Sequence, residues 1–159
     1  MILVLLGTFD IEFKRPLLEI DRLCKEGFIT EEVIVQNGYT VIETNHLILK
    51  PFIPPKELDE LHQNARIIIT HAGTGSLVKA IGYKKKVIGI ARLKKLAEHV
   101  DDHQMEILDK FAELHYILPW RENETLEYIL KTIENFEPVP FVSNKPVIMN
   151  YLIDYIEGL

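Results

Sequence analysis

The chain holds one cysteine, Cys24, which excludes an intrachain disulfide and any zinc site built on several thiolates. Basic charge is also short. Eighteen Lys and Arg stand against 24 Asp and Glu, a formal charge of −6, and this argues against a general nucleic-acid binder. No run approaches the roughly 18–20 apolar residues that a membrane span needs. The opening Met1–Leu6 is apolar, but no basic residues precede it and Gly7-Thr8 cuts it short, so it reads as a first strand and not a signal segment. There is no internal repeat and no low-complexity tract. The expectation is a cytoplasmic chain whose association with a membrane comes through a partner.

What is present is the composition of a soluble globular domain, 47% hydrophobic and 26% charged over 159 residues, enough to bury a core in a single domain, 1–159. Strands are expected at Ile2–Leu6, Glu32–Gln36, within Leu47–Ile53, and at Ile67–Thr70, Lys86–Ala91 and His115–Leu118. Between them, Lys14–Glu26 sets Leu17, Ile20, Leu23 and Cys24 on one helical face, which makes Cys24 a core residue sooner than a nucleophile. Pro16 falls in its first turn, where a missing N–H matters least. Glu57–Asn64 turns Leu58 and Leu61 inward, Asp102–Ala112 does the same with Met105, Leu108, Phe111 and Ala112, and Glu122–Phe136 is amphipathic. A Pro-broken stretch, Glu137–Ser143, leads to a closing helix at about 145–157. This alternation predicts an α/β fold, a Rossmann-like parallel sheet with helices on both faces.

Ligands of such sheets bind at the carboxyl ends of the strands. Three polar turns fall there: Gly7-Thr8-Phe9-Asp10, His71-Ala72-Gly73-Thr74-Gly75-Ser76, and Arg92–Asp101. The central one joins a β-branched strand to a helical pattern that starts at Leu77. Strand, glycine turn and helix together aim backbone N–H groups at one point, which suits a phosphate. Gly73 and Gly75 permit close approach, and Thr74 and Ser76 add hydroxyl donors or caps. An ordinary strand-to-helix turn with a capping serine explains the same residues, and this stretch alone does not separate the two. Nearby Lys84, Lys85, Lys86, Arg92, Lys94 and Lys95 form a solvated loop rim or, beside a phosphate, an anion-attracting one.

Glu98-His99-Val100-Asp101-Asp102-His103-Gln104 packs six hydrogen-bonding side chains into seven positions. Its spacing is not the i, i+4 histidine pair of a zinc helix, so no metal site is expected. Asp101 or Asp102 makes a good N-cap, which accounts for one residue of the six. Donors and acceptors at this density suit a polyhydroxylated ligand. A phosphate cradle facing a hydroxyl-reading loop describes a nucleotide-sugar site.

These three stretches, Ile69–Ser76, Lys86–Arg92 and Glu98–Gln104, resemble the donor-binding C-terminal domain of family 28 glycosyltransferases. With the opening Leu6-Gly7-Thr8 and the short length, the chain is similar to the small soluble subunit of two-component bacterial capsule and exopolysaccharide transferases. The catalytic subunit of the dolichol-diphosphate GlcNAc transferase shares the same domain. The resemblance implies one half of a GT-B enzyme that takes a UDP-sugar donor and needs no metal from this chain. It implies that Gly73, Thr74, Gly75 and Ser76 hold the diphosphate. Arg92, Glu98 and His99 line the nucleotide side, Asp101, His103 and Gln104 the donor sugar, and Gly7 and Thr8 edge the acceptor cleft. His71, Glu98 and Asp101 are candidates by type for the general base of an inverting displacement. The acceptor half is then a separate membrane-anchored subunit presenting a lipid-linked saccharide. Two positions depart from the pattern. Lys79 stands where members often carry a ribose-assigned Glu, and Phe9 interrupts the usual polar run after Gly7-Thr8.

Two other readings compete with this one. A non-catalytic enhancer of a partner glycosyltransferase has no need of an intact Gly73–Ser76 cradle or of Gln104. A dinucleotide-binding module places its repeated glycines after the first strand, with an acidic residue about 20 positions on, and Leu6-Gly7-Thr8-Phe9-Asp10 lacks them.

Overall fold

The computed structural model describes residues 1–141 and 145–158. Its centre is a six-stranded, wholly parallel sheet of β1 (Ile2–Leu5), β2 (Val33–Gln36), β3 (Ile48–Lys50), β4 (Ile67–His71), β5 (Lys86–Ile90) and β6 (Leu118–Pro119), in the order β3-β2-β1-β4-β5-β6. The helices are α1 (Lys14–Lys25), α2 (Pro55–Asn64), α3 (Thr74–Gly82), α4 (His103–Glu113), α5 (Leu126–Glu134) and α6 (Lys145–Glu157). The expected Rossmann-like sheet is the one observed.

The strands read as continuous apolar runs because both faces of the sheet are covered. Alternate residues face opposite cores. Ile2, Val4, Ile67, Ile69, Ile88 and Ile90 pack with Leu17, Ile20 and Leu23 of α1 and with Ile129 and Ile133 of α5. Leu3, Leu5, Ile68 and Val87 pack with Leu77 and Ile81 of α3, Leu108 and Phe111 of α4, and Leu152 of α6. Truncating one such residue, for instance Ile68→Ala, is expected to cost about 2–5 kcal/mol.

Several boundaries differ from the sequence expectation, each for a local reason. The last strand pairs at Leu118–Pro119 and not from His115, because His115 takes a positive φ of 60° to close α4. Helix α5 starts at Leu126 and not Glu122: Thr125 caps it through Oγ1 to the Tyr128 N–H, after a turn between Arg121 and Glu124. Helix α2 starts early, at Pro55. Leu58 and Leu61 are only half buried in it, while His62 is fully enclosed. Val142 and Ser143 of the Pro-broken stretch lie outside the described residues. Cys24 packs partly buried against the first core, and burial pushes its thiol up, as suits a core residue.

Strand order reverses about β1: β2 and β3 lie to one side, β4 and β5 to the other. The switch point is therefore the crevice at the carboxyl ends of β1 and β4, where Gly7 and the glycine turn emerge side by side.

Candidate functional site

The glycine turn is itself the first turn of α3. Gly73 is the N-cap, with φ −84° and ψ 133°, and the Leu77 N–H donates to its carbonyl at 3.0 Å. The expectation of Ser76 as a cap is corrected: Ser76 lies inside the helix and its hydroxyl goes to His71. The amides of Thr74, Gly75 and Ser76 meet no acceptor among the described residues, so the positive end of the α3 dipole is free. A Cβ built on Gly75 would touch nothing within 4 Å. No packing among the described residues therefore requires glycine here. From Gly75 a groove of about 780 Å³ runs along α3 past Lys79 and Tyr83 to Phe141.

His71 ends β4 and its ring fills the space between two glycines. A Cβ on Gly73 would come within 2.4 Å of the ring, and one on Gly7, whose φ is +78°, within 2.7 Å. The ring is held at both nitrogens. Gln104 Oε1 accepts the Arg92 N–H at 3.0 Å, so its Nε2 is the group that faces His71 Nδ1 at 3.2 Å. Nδ1 must then accept, and Nε2 carries the proton toward Ser76 Oγ at 3.2 Å. Burial, with smaller contributions from Arg92 and His99, pushes His71 down to about 4. The imidazole is neutral at pH 7, with its lone pair occupied.

Arg92 and Glu98, expected on the nucleotide side, are turned inward. Arg92 is 1% exposed. Its guanidinium donates to the carbonyls of Ile11 (2.6 Å), Glu98 (3.1 Å) and Leu6 (2.9 Å), and it lies over the Phe13 ring at 4.9 Å. The fork thus ties the loop after β1 to the loop after β5. Burial lowers the Arg92 pKa, which the charge of Glu98 opposes. Glu98 is committed as fully: both carboxylate oxygens pair with Arg15 at 2.9 Å, and Oε2 also accepts the Leu93 N–H at 3.0 Å. Both oxygens of Glu98 thus serve the fold, and the side chain is 7% exposed.

Further out the side chains are open. His99 stacks on Phe9 with ring centroids 4.7 Å apart, so the residue that breaks the polar run after Gly7-Thr8 covers one face of this imidazole. Asp101 accepts the His103 N–H at 3.0 Å, the first free amide of α4, and performs the capping expected of it from one position before the N-cap, Asp102. Asp102 instead accepts the Lys94 N–H at 3.1 Å. His103 is exposed and meets Glu106 at 3.2 Å, and Thr8 is exposed at the mouth. Lys79 pairs with Asp59 at 2.8 Å, beside the Tyr83 hydroxyl. Two features gave no sequence signal: the Arg15 clamp on Glu98, and an exposed edge-to-face pair, Tyr39 with Phe52, after β2 and β3. Among the described residues, no group of three or more His, Cys, Asp or Glu could hold a metal, and no helix is long and apolar enough to cross a membrane.

The structure brings together the three polar turns. Gly7, His71, Gly73, Ser76 and Gln104 touch at the switch point, while Gly75 and the α3 amides face open space. Comparison with known proteins adds a lineage to this geometry. The UDP-N-acetylglucosamine transferase subunit ALG13 of Candida albicans is 27% identical over 92 residues, covering 58% of this chain and 30% of that protein. Its Saccharomyces cerevisiae counterpart is 31% identical over 93 residues, covering 57% and 44%. The chain thus spans less than half the length of these relatives. Among solved structures, the solution NMR structure of ALG13 superposes with a TM-score of 0.64 at 19% identity, covering 98% of this chain and 96% of that one. MurG of Acinetobacter baumannii gives 0.57 at 17%, covering 83% and 41%. SnogD, a glycosyltransferase from Streptomyces nogalater, gives 0.53 at 15%, covering 86% and 40%. These show the fold, that of one half of a GT-B glycosyltransferase. Residues 2–147 match the glycosyltransferase family 28 C-terminal domain, and the chain belongs to that family.

Proposed function

We propose that this chain is the UDP-sugar-binding, catalytic subunit of a two-component inverting glycosyltransferase. It would transfer a hexose or hexose derivative to a lipid-linked glycan acceptor in polysaccharide biosynthesis. The observation that carries the reading is the α3 N-terminus, where three amides meet no acceptor and a glycine meets no steric demand among the described residues. The diphosphate would sit there, held by Gly73, Thr74, Gly75 and the Ser76 hydroxyl, with the helix dipole and no metal of this chain balancing its charge. As the acceptor hydroxyl attacks the anomeric carbon, negative charge grows on the departing UDP. Such preorganised donors contribute roughly 3–4 kcal/mol to a transition state in other enzymes.

His71 and Gln104 would frame that cradle, and Arg92 and Glu98 the loop beside it. His99, Asp101 and His103 face the crevice as contacts for the nucleotide and donor sugar. Of the three acid–base candidates Asp101 has the more open carboxylate, while Glu98 is buried and the His71 Nδ1 lone pair is engaged by Gln104, so the acceptor proton goes to Asp101 or to a group of the partner. Gly7 and Thr8 edge the acceptor side. The relatives are named as transferase subunits, and matches to MurG and SnogD cover only 41% and 40% of those chains. A membrane-anchored acceptor-binding subunit, docked against the exposed apolar rim that includes Tyr39 and Phe52, would complete the cleft and recruit this chain to the inner face of the membrane.

The test is ligand-detected NMR on the purified chain with UDP, UDP-glucose, UDP-galactose, UDP-GlcNAc, UDP-glucuronate and NAD. Uridine-nucleotide signals that vanish in Gly75→Asp and weaken in Gln104→Ala support the reading and begin to name the sugar. Silence with every uridine nucleotide, with the partner subunit present, overturns it in favour of a non-catalytic enhancer.

A further inference from the structure

Arg15 lies in the first turn of α1 and touches no residue of the glycine turn, yet it stands at the head of a continuous chain of hydrogen bonds that ends there. Its Nε and one terminal nitrogen donate to the two oxygens of Glu98 at 2.9 Å each, and that terminal nitrogen also reaches the Ala91 carbonyl at 3.0 Å. A planar fork matched to a carboxylate fixes position as well as charge. Glu98, so held, accepts the Leu93 N–H, and its own backbone N–H donates to the Leu93 carbonyl at 3.1 Å. Its carbonyl meanwhile accepts from Arg92. The loop from Leu93 to Glu98 is therefore closed by one carboxylate, 7% exposed, that the Arg15 guanidinium grips at both oxygens while also holding the Ala91 carbonyl. The Arg92 N–H is the group that orients Gln104. Gln104 in turn orients His71, and His71 meets Ser76 at the head of α3.

We infer that Arg15 is a positioning residue of the donor site, acting through Glu98 and the β5–α4 loop to fix the Gln104 amide, the His71 ring and the Ser76 hydroxyl. The inference rests on the donor-site reading for its consequence, UDP affinity, but not for its mechanism, which is a property of the unliganded chain. Arg15 also walls a cavity of about 250 Å³ with Trp120 and Arg121. An alanine there would open space as well as break the fork, so longer replacements make the cleaner probes. Arg15→Lys keeps the charge and loses the fork. Arg15→Met with Glu98→Gln removes both charges, leaves no buried carboxylate unpaired, and keeps an oxygen for the Leu93 N–H.

The experiment measures two quantities on wild type, Arg15→Lys and the double variant. One is the imidazole ¹⁵N shifts of His71 without ligand, which report the tautomer; the other is UDP affinity by titration. Arg22→Ala, on the same helix but in a surface network with Glu19, Glu26 and Glu127, is the control for a generally weakened α1. The expected result is a His71 spectrum displaced from the single Nε2–H tautomer in both Arg15 variants. UDP affinity falls roughly tenfold with it, and the Arg22→Ala chain matches wild type on both counts. Where one Arg15 variant fails to fold, the other carries the test. Unchanged His71 shifts in a folded variant overturn the inference, whether or not UDP binds. Displaced shifts in a chain that never bound UDP leave the positioning role standing and sink the donor-site reading instead.

Discussion

Gly73 and Gly75 are two residues apart in one turn, and alanine at each is expected to have opposite effects on stability. At Gly75 the backbone φ is negative and an added Cβ meets nothing within 4 Å, so alanine fits and lowers the entropy of the unfolded chain. The gain is about 0.5–1 kcal/mol, which for a chain of this size raises Tm by roughly 1–4 °C. The same methyl stands on the side where the three free α3 amides look for an acceptor. Loss of one charge-assisted hydrogen bond to a diphosphate oxygen costs about 1.5–3 kcal/mol, or roughly 10- to 150-fold in UDP affinity. Gly75→Ala should therefore be the more stable protein and the weaker binder. At Gly73 the Cβ would sit 2.4 Å from His71 Cε1, so the ring must leave its place between Gln104 and Ser76 or the turn must shift. Overpacking of this kind costs about 1–3 kcal/mol, and binding falls with it. Thermal unfolding followed by circular dichroism, paired with calorimetric titration of UDP, reads both quantities. A Gly75→Ala chain that binds UDP as wild type does would refute the assignment of the diphosphate to this helix end, and a destabilised one would refute the steric argument.

Three further outcomes follow from the same geometry. His71 is held near 4 when folded against an ordinary 6.5, so the unfolded chain binds more protons between those values; its contribution, about 3 kcal/mol, is complete above pH 6.5 and is lost as pH falls toward 4. Buried His62, also lowered, adds to the same slope, so urea unfolding across pH 7 to 4.5 should show a decline that His71→Gln reduces without abolishing; equal slopes in the two proteins would contradict the burial argument. Arg92→Met strips donors from the Leu6, Ile11 and Glu98 carbonyls and should lose about 3–5 kcal/mol in denaturant titration, whereas a direct ligand contact would lose affinity at unchanged stability. Gly89→Ala drives a Cβ to 2.8 Å from Ile117 and Leu108, in the core beneath α3 and α4, and should destabilise by about 1–3 kcal/mol, read by thermal unfolding; an unchanged Tm would contradict the packing described for that core.

The sheet was legible because its strands are buried on both faces and so carry an unbroken apolar signature, as in Ile67-Ile68-Ile69. Parallel connectivity came from the alternation with helices, and the crevice came from connectivity alone. Boundaries were lost where single-residue geometry overrides pattern. No periodicity foretells the left-handed His115 that delays β6, or the turn before Thr125 that delays α5. The apolar pattern of α3 begins only at Leu77, because its first turn, Thr74-Gly75-Ser76, has no apolar residue to show. That first turn is also the part of the chain with open amides.

The site was legible in type and less so in role, and the reason is where each polar atom ends. A dense run such as Glu98–Gln104 looks like a row of ligand contacts when only residue types are visible. In three dimensions the atoms of Glu98 are consumed by Arg15 and Leu93, and those of Gln104 by Arg92 and His71. Partners 83 residues distant, as Arg15 is from Glu98, leave no trace in local spacing. A buried polar network must satisfy its own members before it can serve a ligand. The residues that look most chemical are therefore the first to be used internally. What this leaves open at the switch point is backbone: the amides of Thr74, Gly75 and Ser76, whose availability follows from two glycines and a histidine ring. The polar side chains of the core network fix the turn, and the turn presents the N–H groups.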